Sequence, residues 1–253
     1  MPDAGVQPLT AWGDPELITE ISSTTLHDFK PTVRGDLLEL YLYRPGTVQE
    51  GGQQVFRSIR TTTDEPWQPT TVSGLGNQGT PELSYDGTEM FVVRSTDEVW
   101  TSVRLTVEAN WSAFMFVFNG QSPSLSGDGL TLYYVDAVTH ETMKRTRTAI
   151  GGTWGGAVNA GLPGNPRYAA AAVSPDERVF VLSGPDDMGQ AFNVEFKRET
   201  IGDAWDNAQE VQPLTSAGGG NCNLATAYEM YCGMVNPGSG LADVYRLRRL
   251  PAQ

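Results

Sequence analysis

The chain has little with which to hold a metal, cross a membrane or grip a nucleic acid. Its only histidines are His27 and His140, too few for a multi-histidine metal site, and no metal or cofactor is expected. Cys222 and Cys232 are the only cysteines and form no CxxC pair, so zinc and redox-motif readings fail. Lysine and arginine number 17 against 30 acidic residues, a net charge of -13, which excludes the basic surface that phosphate backbones require. No apolar run is long enough to span a bilayer. There is no GxSxG elbow, HExxH, P-loop or GxGxxG fingerprint. No charged-then-apolar leader opens the chain. Residues 1–7 read as a flexible segment compatible with a start after a removed leader.

What is present is a repeat. The segments 31–43 (PTVRGDLLELYLY), 81–93 (PELSYDGTEMFVV), 123–135 (PSLSGDGLTLYYV) and 171–183 (AAVSPDERVFVLS) align without gaps, and 222–234 (CNLATAYEMYCGM) follows after a one-residue deletion. Asp36, Asp86, Asp128 and Asp176 mark an Asx- or Gly-type turn in four of them. Leu37 stands where Gly87 and Gly129 follow the aspartate, and the fifth copy has no aspartate. Beyond each turn lie two neighbouring apolar columns. The first is Leu40, Met90, Leu132, Phe180 and Met230, and the second is Tyr41, Phe91, Tyr133, Val181 and Tyr231. Two apolar columns side by side predict strands covered on both faces. A third strand of mixed polarity ends in Arg60, Arg104, Arg147, Arg198 or Arg249 and reads as a solvated outer strand. A fourth begins at Trp67, Trp111, Trp154 or Trp205. The fifth copy lacks this segment, and Trp12 near the N-terminus supplies it. A large ring repeated once per unit reads as packing between sheets.

Four antiparallel strands per unit, without a helical period, predict a propeller blade. The expected fold is all-β: a five-bladed β-propeller of four-stranded antiparallel blades in one domain, 1–253. The N-terminal strand, 8–23, completes the last blade. Blade one is expected at 29–75, blade two at 79–119, blade three at 121–163, blade four at 167–215 and the rest of blade five at 219–250. The hairpin P-x-x-S-x-D-G-x-x-[LM]-[FY], with its following [YW]-x-x-R and W-x-x-P strands, resembles the PD40 (WD40-like) repeats of TolB-type propellers. That resemblance covers nearly all of 8–250. It implies a binding protein of the periplasm or cell surface, although a TolB-like second domain has no room here.

The expected function is therefore a non-enzymatic binding or scaffolding propeller, monomeric and exported by a bacterium to a periplasmic or extracellular setting. Its partner is a protein, a peptide or a carbohydrate-like small ligand. The alternative is a glycoside-hydrolase-like propeller acting on a carbohydrate, with Asp28, Glu82, Asp186 and Asp187 as candidate carboxylates. The ligand is expected at one channel mouth, among the segments that lead from one blade to the next. Those segments carry Asn77, Asn119, Asn165 and Asn221, with His27, Asp28 and Arg167 breaking the symmetry. Cys222 and Cys232 flank the blade-five turn and are expected within disulfide reach.

Overall fold

The computed structural model describes residues 9–46, 54–75, 78–94, 97–164, 170–185, 191–216 and 220–250. Near the N-terminus lies the short strand β1 (Glu16–Leu17). Blade one follows as β2 (Phe29–Val33), β3 (Glu39–Arg44), β4 (Gln54–Ile59) and β5 (Thr71–Val72). Blade two is β6 (Thr80–Leu83), β7 (Glu89–Arg94), β8 (Glu98–Val103) and β9 (Met115–Asn119). Blade three is β10 (Gln121–Leu125), β11 (Thr131–Val135), β12 (Thr142–Thr146) and β13 (Val158–Asn159). Blade four is β14 (Ala170–Val173), β15 (Val179–Pro185), β16 (Ala191–Lys197) and β17 (Gln209–Glu210), followed by the one-turn helix α1 (Gln212–Ser216). Blade five comprises β18 (Gly220–Thr226), β19 (Glu229–Val235) and β20 (Ala242–Arg248), and β1 pairs antiparallel with β20 as its fourth strand. The inner strands touch in the order β2, β6, β10, β14, β18 and back to β2, so the ring is closed. The protein is a five-bladed β-propeller. Among the described residues no helix is long and apolar enough to cross a membrane.

The two apolar columns explain why the blades stack. Successive side chains on a strand point to opposite faces. Leu40 and Leu42 therefore pack toward blade five while Tyr41 packs toward blade two. The core is divided among the five gaps between blades rather than gathered in one place. Leu40, Met90, Leu132, Phe180 and Met230 are fully buried, each contributing about 1.5–3 kcal/mol of hydrophobic stabilisation.

The turn aspartates serve the turns. Asp36, Asp86, Asp128 and Asp176 each accept through Oδ1 from the backbone N–H two residues on, at 2.9–3.2 Å. In blade five the Thr226 hydroxyl accepts from Tyr228 N–H instead, at 3.0 Å. Leu37 adopts φ 63° where Gly87 and Gly129 adopt 75° and 70°, so blade one keeps the left-handed turn at the cost of strain.

The third strand differs from its expected solvated character. Of its terminal arginines Arg60, Arg104, Arg147 and Arg249 are buried and Arg198 is half-buried, and each guanidinium lies over the tryptophan of the same blade. The distances are 4.4 Å for Arg60 on Trp67 and for Arg104 on Trp111, 4.3 Å for Arg147 on Trp154, 4.1 Å for Arg198 on Trp205, and 4.2 Å for Arg249 on Trp12. Each Nε also donates to a carbonyl of its own blade's first turn. Cation–π stacking and a fork of donors hold the outer strand to the hairpin. The repeated tryptophans are thus one half of a clamp. Trp12 completes the fifth clamp from the other end of the chain.

Cys222 and Cys232 face one another on β18 and β19 and are joined by a disulfide, with Cα atoms 4.1 Å apart. Such a bond forms and persists in oxidising surroundings, which fits a secreted or extracellular protein.

Candidate active site in the central channel

An inner strand leaves the N–H groups of its channel edge without a sheet partner, and each must find an acceptor. Here the neighbouring blade supplies it through one side-chain column: Thr32, Glu82, Ser124, Ala172 and Asn223. Thr32 Oγ1 accepts from Leu83 N–H at 2.9 Å, Ser124 Oγ from Val173 N–H at 3.0 Å, and Asn223 Oδ1 from Val33 N–H at 3.2 Å. The Glu82 carboxylate accepts from Leu125 N–H in the same way. Ala172 alone has no acceptor to offer. The result is a polar belt stitching blade to blade around the channel.

Three bulges interrupt the inner strands among the described residues, between Phe29 and Thr32, between Gln121 and Ser124, and between Leu224 and Thr226; the first two concern the channel. Inside the first two, Lys30 and Ser122 hold left-handed backbone, φ 48° and 47°, which neither residue type favours. Bulges re-aim side chains, and these two meet: Lys30 Nζ, from blade one, donates to Ser122 Oγ of blade three. Ser122 Oγ also accepts from Ala171 N–H at 2.9 Å. This crossbar lies one pleat, about 7 Å, along the strands from the belt.

Glu82, only 5% exposed, lies within electrostatic reach of Lys30. Asn223 Nδ2 reaches both its oxygens at 3.4 Å, and the Ser124 hydroxyl donates to it. Burial nevertheless pushes the Glu82 carboxyl up to about 7, against the pull of the Lys30 ammonium and these hydrogen bonds. Burial pushes Lys30 down, and Glu82 opposes that shift. A carboxyl that exchanges its proton near neutral pH beside a lysine whose charge burial disfavours is suited to acid–base chemistry. Among the described residues no group of three His, Cys, Asp or Glu gathers as a metal centre.

The other candidates are placed elsewhere. His27 and Asp28 lie in the seam against β20. Ala242 N–H donates to His27 Nδ1 at 2.9 Å, and Asp28 N–H donates to the Ala242 carbonyl at 2.6 Å. Asp28 is fully buried, accepting from Arg44 Nε through Oδ1 and from Ser23 N–H through Oδ2. Burial raises its pKa while Arg44 pulls the other way. Asn119 is exposed at the end of β9, and Asn221 is half-buried in β18. Asn77, Asn165, Arg167, Asp186 and Asp187 lie outside the described residues. Sequence reasoning named Glu82 but missed Lys30 and Ser122, because nothing in a row of letters marks a bulge between two aligned hairpins.

No family model matches the chain, and no curated protein matches it. Solved structures do. The α-L-arabinofuranosidase of Podospora anserina in complex with cellotriose superposes with a TM-score of 0.64 at 9% identity, over 96% of this chain and 98% of that one. The catalytic domain of the Coprinopsis cinerea GH62 α-L-arabinofuranosidase gives 0.64 at 11%, over 96% and 98%. A GH62 hydrolase in complex with xylotriose gives 0.63 at 10%, over 95% and 97%. At such identities the likeness is one of fold. It corrects the expectation of a non-enzymatic binding or scaffolding propeller all the same, because these three structures, each matched over nearly the whole chain, are two arabinofuranosidases and a hydrolase. The physical reason is simple. A propeller draws its site from strands of different blades, so the absence of a contiguous catalytic motif says nothing against an enzyme.

Proposed function

We propose that the protein acts on a carbohydrate as a glycoside-hydrolase-like five-bladed propeller, with Glu82 as its proton-carrying carboxyl. The observation that carries this reading is the Glu82 carboxyl held near pH 7 in the channel. Hydrolysis of a glycosidic bond needs one carboxylic acid to protonate the leaving oxygen and a second carboxylate to act as base or nucleophile. A group half-protonated at neutral pH suits the first role. Sugar reaches Glu82 with the Lys30–Ser122 crossbar displaced. The second carboxylate is sought at Asp186 and Asp187, the sequence candidates that lie outside the described residues. The fold likeness to arabinofuranosidases supports the substrate class, and the disulfide supports work in the periplasm or outside the cell. The repeated hairpin supports kinship of the blades with PD40 units.

The test is release of reducing sugar from a panel of arabino-, xylo- and cello-oligosaccharides. Turnover of at least one is expected, and Glu82→Gln should lower it by about 100-fold or more, the usual contribution of a general acid. Silence across the panel, or full activity in Glu82→Gln, overturns the reading.

A further inference from the structure

The five arginine–tryptophan clamps are not equivalent. In four of them the guanidinium also meets a carboxylate. Arg104 donates to Glu39 and Arg147 to Glu89, each at 2.5 Å, while Arg249 donates to Glu195 at 2.8 Å and Arg198 to Glu177 at 3.3 Å. Two of the indoles share these acceptors: Trp12 Nε1 donates to Glu195 at 3.0 Å, and Trp111 Nε1 to the Tyr41 hydroxyl, itself bound to Glu39, at 3.3 Å. Blade one departs. Arg60, 6% exposed, donates only to the carbonyls of Leu37, Thr63 and Glu65, and among the described residues it has no carboxylate partner. Trp67, 4% exposed, has an indole N–H with no acceptor. The counterpart of Glu39 and Glu89 is Glu229, which is held by Arg248 at 3.0 Å and by the Tyr231 hydroxyl at 2.7 Å. A buried donor left unmatched costs about 1–3 kcal/mol.

Arg60 and Trp67 both line a cavity among the described residues, with the Trp67 indole N–H lying beneath its surface. It has about 460 Å³ and lies at the seam where the closing strand meets blade one. That volume is within the range of small-molecule sites. Its lining also carries the carboxylates of Glu16, Glu20, Asp64 and Glu65. The first of these is bound to Arg246 at 2.6 Å. The lining thus offers a guanidinium that lacks an anionic acceptor, above an indole N–H that lacks any, and several acceptors suited to hydroxyl groups.

We propose that this seam cavity binds an acidic sugar, a uronic acid residue. Its carboxylate completes the Arg60–Trp67 clamp where other blades use a glutamate, and its hydroxyls donate to the acidic rim. A neutral sugar offers the guanidinium only uncharged acceptors, and a bare carboxylate leaves the rim unused. Charge-assisted bonds to a guanidinium are the stronger kind and fix orientation. The site lies apart from the channel and does not depend on the Glu82 reading.

The indole N–H resonances of the tryptophans test it, with Trp67→Phe identifying the Trp67 signal. Titration with sodium glucuronate should move that signal saturably. Glucose, which differs at C6 alone, and sodium acetate should need at least ten-fold higher concentration. Arg60→Met, which keeps an apolar side chain over the ring, should weaken glucuronate binding ten-fold or more. Glu82→Gln should leave it unchanged, so failure here is distinguishable from failure of the channel reading. A Trp67 signal that glucuronate does not move overturns the proposal without recourse to any variant. Acetate or glucose acting at the same concentration as glucuronate overturns it as well.

Discussion

The outer clamps and the inner belt follow the same five-fold repeat, yet they keep it to different degrees. Every blade has its arginine over its tryptophan, within 4.1–4.4 Å. The belt column instead runs threonine, glutamate, serine, alanine and asparagine, and the bulges of Lys30 and Ser122 occur in only two blades. The clamp performs one task, fastening an outer strand, and the same residues solve it each time. A belt residue has only to offer an acceptor to a neighbouring N–H, which many side chains can do. That freedom lets one position carry a titratable carboxyl without loss of the ring. Regularity here marks construction, and departure from it marks the places where chemistry is available.

The largest effect should come from breaking the clamp that holds the ring shut. Removing residues 1–23 takes away β1, its pairing with β20 and Trp12 beneath Arg249. It leaves the Arg249–Glu195 pair stripped of its cover and exposes the edge of blade five. The truncated protein should aggregate and lose cooperative melting. A monomer with an unchanged Tm would show that the outer ring is not what closes the fold. Trp12→Ala is the milder form, expected to cost about 3–5 kcal/mol, typical of large-to-small changes at buried aromatics.

The belt is tested next, through its charge. Glu82 titrates from 4.5 in the unfolded chain to about 7 in the folded one. The folded state therefore keeps a proton that the unfolded state gives up between those values. The contribution is fully present below pH 4.5 and is lost as pH rises through 7, by on the order of 3 kcal/mol. Lys30, shifted downward, acts with the opposite sign on the alkaline side. Glu82→Gln should therefore gain stability relative to the native chain between pH 4.5 and 7.5, measured by urea unfolding. Parallel curves across that range would place Glu82 in an ordinary solvated setting.

The contrast also explains what was legible in the sequence. Blades, turns and the Trp12 closure could be read because the same residue recurs at the same place whenever the same physical task recurs. Asp86 and Trp67 announce themselves by their copies. The clamp was half read: the tryptophans were seen as packing, but their arginines looked solvated, since a long charged side chain gives no sign in sequence of lying flat on a ring. The placement of His27 and Asp28 was not legible, because hydrogen bonds to Ala242 and Arg44 decide it across the seam. The bulges were invisible for the same reason. They are properties of strand pairing, not of either strand.

The smallest effect sharpens the comparison most, because it concerns the one gap in the belt. Thr32, Glu82, Ser124 and Asn223 each accept from the N–H of the next blade's inner strand, at Leu83, Leu125, Val173 and Val33. Ala172 occupies the fifth place and Leu224 is the residue it faces, so that N–H receives nothing from the column. Ala172→Ser should supply the acceptor and stabilise the protein by about 1 kcal/mol, the usual net worth of one hydrogen bond. The added oxygen has little room, since Ala172 is buried against Leu224, and any overpacking will subtract from the gain. Ala171→Ser controls for this. Its side chain faces the apolar gap toward blade three, packed with Tyr133 and Phe180, and a hydroxyl there should destabilise by about 1–3 kcal/mol. Opposite signs for adjacent serines, read from urea midpoints, would establish that the belt is a hydrogen-bonded seam whose members are interchangeable. Destabilisation of equal size by both would mean that the column is set by packing alone.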